Sequence, residues 1–175
     1  MKNIILFSSV DWYSFRQMHH QLTDSLIKEN YNVLFIDNTG VRSIKISDYQ
    51  RVFERIRNFF NSIGGFKVIN SNLTILSPII FPSPYSKFFL LLNSFIINYY
   101  LKKWGKLFSL NDAILITFLP TPLVSKIVKK LNPKLCIYYC ANNMSKGSEG
   151  AKKLEKFEEV FFKKSDLVFT FEDIS

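Results

Sequence analysis

Ile4-Ile5-Leu6-Phe7, then Phe15, Met18, Leu22 and Leu26 at helical spacing, then Val33-Leu34-Phe35-Ile36: this opening stretch decides the fold. Short continuous apolar runs rich in branched side chains suit strands buried on both faces, and such strands belong to parallel sheets. The helical repeat between them is opened by Ser14, a residue suited to N-capping, and closes near Asn30. Strand, helix and strand within about 35 residues form a right-handed crossover unit.

The same alternation continues downstream. Asp48 to about Ile63 is amphipathic, with Val52, Phe53, Ile56, Phe59 and Phe60 on one side, and Gly64-Gly65 ends it before a strand at Leu73-Thr74-Ile75-Leu76. Pro78, Pro82 and Pro84 then force a loop. Lys87 to Lys106 is the most apolar segment and ends in Lys102, Lys103 and Lys106. It reads either as a core helix or as an interfacial helix laying aromatics and lysines on a membrane leaflet. Strands follow at Ala113 to Phe118, Leu135 to Cys140 and Leu167 to Phe171, separated by helices at about Pro122 to Leu131 and Gly150 to Lys164. The polar, glycine-bearing segment Ala141 to Gly150 reads as a loop. The expected fold is α/β, a doubly wound Rossmann-like parallel sheet of about six strands with helices on both faces.

A chain of 175 residues with 47% hydrophobic content has room for one domain with a sizeable core. No apolar run reaches the roughly 18 residues of a spanning helix, and no signal-peptide cleavage pattern follows Met1, so a cytoplasmic chain is expected. Cys136 and Cys140 lie four apart in one expected strand, roughly 13 Å from each other, too far to bridge. With His19 and His20 distant in sequence, the ligand count excludes a zinc cluster, and no metal is expected.

The net charge of +9 is unevenly spread. Residues 1–54 hold 6 basic and 6 acidic groups, residues 55–148 hold 12 basic groups against Asp112 alone, and residues 149–175 hold 5 against 7. The middle block would draw phosphates or anionic lipid wherever its lysines converge, or else coats solvent-facing helices. Nucleic acid is not an expected partner, because the aromatics fall inside apolar runs and no nucleic-acid motif accompanies them.

In a doubly wound sheet of order 3-2-1-4-5-6, ligands bind outside the carboxyl ends of strands one and four. The loops there are Ser8 to Ser14, Phe118 to Thr121 and, beside them, Cys140 to Gly147. The first lacks the G-x-G-x-x-G fingerprint, which argues against a dinucleotide-dependent oxidoreductase, although Asp37 ends strand two where such enzymes place a ribose-binding acid. It offers Asp11, Trp12, Tyr13 and Ser14, then Arg16 in the expected first helical turn. Arginine beside a helix N-terminus binds phosphate or carboxylate, and an aromatic pair stacks on a sugar ring or simply caps the sheet edge. His19 and His20, at the pocket end of that helix, serve either as a base or phosphate contact or as packed core histidines.

Ser9-Val10-Asp11-Trp12 with Arg16-Gln17-x-x-His20-x-Leu22, followed by Asn32-Val33-Leu34-Phe35-Ile36-Asp37-Asn38, resembles the start of a GT-B glycosyltransferase of the GT4 type. A second block agrees: Phe118 to Pro122, Pro133 to Cys140, the pair Asn142-Asn143, a Glu-bearing helix and Ser165-Asp166-Leu167-Val168-Phe169-Thr170. Together they are similar to the amino-terminal domain of cell-envelope and capsule glycosyltransferases. Relatives usually carry a carboxylate pair where this chain has Asn142-Asn143. The resemblance implies an acceptor-side domain whose substrate-binding residues are Asp11, Trp12, Tyr13, Arg16, His20, Pro120, Thr121, Asn142 and Asn143, with Asp11 and His20 the candidate catalytic groups.

It also implies a sugar or lipid-linked sugar as acceptor and no cofactor of the domain's own. The nucleotide-sugar donor is expected mainly on a second Rossmann-like domain beyond Ser175, or on a partner chain, without which this chain would be inert. An anionic membrane surface on the inner face is a further expected partner. Two other readings stand beside it: a non-catalytic membrane-docking or partner-binding subunit of a two-part glycosyltransferase, and a flavodoxin-like binding domain.

Overall fold

The computed structural model describes residues 2–39, 65–81, 85–140 and 149–170. Their order is β1 (Asn3–Phe7), α1 (Met18–Lys28), β2 (Asn32–Ile36), β3 (Phe66–Asn70), β4 (Leu73–Leu76), α2 (Lys87–Gly105), β5 (Ile114–Thr117), α3 (Pro122–Leu131), β6 (Leu135–Cys140), α4 (Glu149–Lys164) and β7 (Leu167–Thr170). The amphipathic segment expected at Asp48 to Ile63 lies outside the described residues.

One seven-stranded sheet runs β3-β4-β2-β1-β5-β6-β7. All neighbours are parallel except β3 with β4. The six parallel strands keep the 3-2-1-4-5-6 order anticipated from the alternation, so β1 and β5 flank the switch point. β1 and β2 are buried at every residue, as strands covered on both faces must be.

β3 adds an antiparallel edge strand to the six parallel strands expected. It forms a hairpin with β4 at the sheet edge, where Asn70 Oδ1 accepts from the Asn72 N–H at 2.9 Å to close the turn. Only Phe66 of its five residues is partly buried, so it lacks the apolar run that marks the other strands. Gly65, at φ +88°, leads into it, and a Cβ there would stand 3.1 Å from the Tyr100 ring.

Side chains alternate between two cores. Ile5, Phe7, Leu34, Ile36, Leu115 and Tyr138 pack under α2, α3 and α4, whereas Ile4, Leu6, Val33, Phe35, Ile75 and Ile116 pack under α1. Two local devices set α3: Thr121 Oγ1 accepts from the Val124 N–H at 3.2 Å, and Asn132 ends the helix at φ 48°. α4 is held to the sheet by the Tyr138 hydroxyl, which donates to buried Glu158 at 2.8 Å; burial and that carboxylate push the phenol pKa upward. Among the described residues no helix is long and apolar enough to cross a membrane.

Candidate functional site

Parallel pairing continues one residue past the strands. Ser8 N–H donates to Ile36 O at 3.0 Å, Asp37 N–H to Leu76 O at 2.9 Å and Phe118 N–H to Phe7 O at 3.0 Å, so Ser8, Asp37 and Phe118 leave the sheet at one level. The connections after β1, β2 and β5 therefore meet at the carboxyl edge beside the switch point.

The β1 connection is tied down by its neighbours. The Trp12 N–H donates to Asp37 Oδ1 at 2.7 Å, Ser77 Oγ donates to Asp37 Oδ2, and Asn38 Nδ2 donates to Ser9 O at 2.7 Å. Asp37, 5% exposed, is thus the clamp joining the ends of β2 and β4 to the loop after β1. The Trp12 ring lies edge-on to Phe35 at 5.0 Å and beside His20 at 5.1 Å, and it belongs to the core under α1.

The two histidines differ completely. His20, fully buried, accepts at Nδ1 from the Gln17 N–H at 2.9 Å, so the neutral ring carries its proton on Nε2 and donates it to Trp12 O at 3.1 Å. Both nitrogens are therefore committed to backbone, and His20 holds the loop rather than facing an acceptor. This bond also corrects the helix start: Ser14 N–H and Oγ both turn back to Asp11 O, at 2.9 and 2.6 Å, and α1 begins only at Met18 with Gln17 as cap.

His19 is 4% exposed and tilted over Phe118 at 3.9 Å, with Nε2 2.8 Å from Ser9 Oγ. Its Nδ1 is buried without a hydrogen-bond partner among the described residues. Burial, reinforced by neighbouring His20, lowers its pKa from 6.5 to about 4, so the ring is neutral at physiological pH. A neutral imidazole on a half-buried hydroxyl makes a proton-accepting pair at this edge. The resemblance singled out His20, but the ring that reaches the Ser9 hydroxyl is His19, and nothing local to the pair announces it.

Of the remaining expected residues, Asp11 is half-buried in the loop and Tyr13 is exposed, with Lys67 Nζ 4.6 Å over its ring. Arg16 projects to solvent and pairs with Asp24 of α1. Pro120 and Thr121 are buried, Thr121 as the α3 cap, so they shape the edge without opening onto it. Asn142 and Asn143 lie outside the described residues. The structure thus brings Ser9, Asp11, Trp12, His19, His20 and Asp37 together and turns Arg16 away. Among the described residues no group of three or more His, Cys, Asp or Glu side chains is placed to hold a metal ion.

No family model matches the chain, and no curated protein matches it.

Proposed function

We propose that this chain is the acceptor-binding domain of a nucleotide-sugar-dependent glycosyltransferase acting in cell-envelope or capsule polysaccharide synthesis. The observation that carries the reading is the loop after β1, a glycine-free connection fixed at the switch point by Asp37, Asn38 and His20. A rigid connection of this kind, with Tyr13 exposed beside Asp11 and Ser9, suits a neutral polyhydroxylated ligand better than a pyrophosphate. Tyr13 supplies a stacking face, Asp11 an acceptor for sugar hydroxyls, and Ser9 backed by neutral His19 a route for a proton leaving the acceptor hydroxyl.

Saturation-transfer NMR tests this on the whole chain, with methyl glucoside, methyl N-acetylglucosaminide and NAD as probes. The sugars should receive magnetisation, NAD should not, and Tyr13→Ala should abolish the sugar signal with the circular dichroism unchanged. Transfer to NAD alone, or sugar signals indifferent to Tyr13→Ala, would reject an acceptor site here.

A further inference from the structure

We infer that the outer face of α2 is a docking surface for an anionic lipid bilayer. Phe88, Leu91, Phe95 and Tyr99 are 69, 59, 70 and 57% exposed, while Asn93, Ser94 and Asn98 of the same helix are buried. At about 100° per residue the four exposed side chains fall within an arc of about 80°, opposite Ile97 and Trp104. At 1.5 Å per residue they extend over about 16 Å. Phe81, also exposed, lengthens the row: it stacks on Phe89 at 5.4 Å, and Phe89 meets Phe88 edge-on at 5.4 Å. Single exposed apolar residues are ordinary on protein surfaces; a continuous row is an interaction face.

The outward setting of this row is enforced from inside. Asn93 Oδ1 accepts from the Phe81 N–H at 2.8 Å and its Nδ2 donates to Phe81 O at 2.9 Å, while Asn98 Nδ2 donates to Ser94 O at 2.6 Å. Turning the aromatics inward would break the two Asn93–Phe81 bonds and pull Leu101 and Trp104 from the core.

Charge selects the occupant. No Asp or Glu occurs between Glu54 and Asp112, whereas Lys87 opens α2, Lys102 and Lys103 close it, and Lys106 follows. All four lysines are exposed, and Lys102 and Lys106 continue the arc of the aromatic row. The aromatic row is therefore flanked by lysine at both ends of α2. A bilayer of anionic lipid meets each group, taking phenyl rings at the acyl boundary, the phenol at headgroup depth and the ammonium groups at phosphate.

Cosedimentation of the whole chain with vesicles tests the surface, using equal parts phosphatidylglycerol and phosphatidylcholine against phosphatidylcholine alone. Binding should be at least tenfold tighter to the anionic vesicles and should fall steeply from about 0.05 M to about 0.5 M salt. The triple variant Lys87→Gln, Lys102→Gln, Lys106→Gln should lose about a hundredfold at low salt, about fivefold per lysine. It spares Lys103, which lies over the Phe66 ring at 5.7 Å. Phe88→Ser with Phe95→Ser should weaken binding at every salt concentration while the circular dichroism stays unchanged. Equal affinity for neutral vesicles, or binding that survives both variants, would overturn the assignment. So would a dimer that Phe95→Ser dissociates, because a second copy would then own the face. The surface rests on α2 alone and not on sugar transfer, so vesicle binding in a chain that ignores sugars would support it and reject only the transferase reading.

Discussion

The loop after β1 and the outer face of α2 both present aromatic rings, but the polar residues around them do opposite things. In the loop, Asp37, Asn38 and His20 reach into the backbone and fix Trp12 against Phe35. In α2 the polar residues Asn93, Ser94 and Asn98 lie on the buried side, and the rings of Phe88, Phe95 and Tyr99 are left to solvent. Aromatic content alone therefore does not separate a packed platform from a docking face. Where the hydrogen bonds go does.

The most damaging way to break the loop side of this contrast is to remove its clamps. His20→Ala takes away two hydrogen bonds and a fully buried ring, and Asp37→Ala leaves the Trp12 N–H and the Ser77 hydroxyl without their acceptor. Each should lower unfolding free energy by about 3 kcal/mol in urea titrations. A loss below about 1 kcal/mol would mean the loop is held by something else. On the α2 side, Asn93→Leu inserts an apolar residue into an interior position yet strands the N–H and carbonyl of Phe81. A loss of about 2 kcal/mol is expected, against the gain that simple hydrophobicity would forecast.

A third perturbation separates the two neighbouring histidines. His19 has an unfolded pKa near 6.5 and a folded value of about 4. Between those values the unfolded chain takes up a proton that the folded chain refuses, so the contribution is fully present above 6.5 and is lost as pH falls toward 4. About 2 to 3 kcal/mol of pH-dependent stability should therefore disappear in His19→Gln. Matching stability profiles of the variant and the parent between pH 4 and 6.5 would refute a buried, neutral His19.

These residues also show what the sequence can disclose. The runs at Ile4–Phe7 and Val33–Ile36 are short, branched and apolar throughout, as strands buried on both faces are, so the parallel order was legible. β3 was not, because an edge strand with one partly buried residue has no apolar run to display. The loop at the switch point was legible as a location. The roles within it were not: Ser14 looked like the helix cap until Asp11 O claimed it, and His20 looked like the candidate base until Gln17 and Trp12 bound both its nitrogens. Long-range partners decide such roles, and sequence spacing carries none of that information. The segment Lys87 to Lys106 had two competing readings, core or interface; α2 buries one face in the core and leaves an aromatic face to solvent.

The smallest expected effect discriminates best between those two faces. Phe95 is 70% exposed, so Phe95→Ser removes little that folding buried, and its cost should stay within about 0.5 kcal/mol. A phenylalanine that belonged to the core would cost about 3 kcal/mol or more on such truncation. Set beside Asn93→Leu two positions earlier, the pair inverts the ordinary rule: the apolar-to-polar change is tolerated and the polar-to-apolar change is not. That inversion follows only if α2 is oriented by Asn93 and Trp104 rather than by its most hydrophobic side chains. If Phe95→Ser instead unfolds the protein, the aromatic row is internal, and the face available to a bilayer vanishes with it.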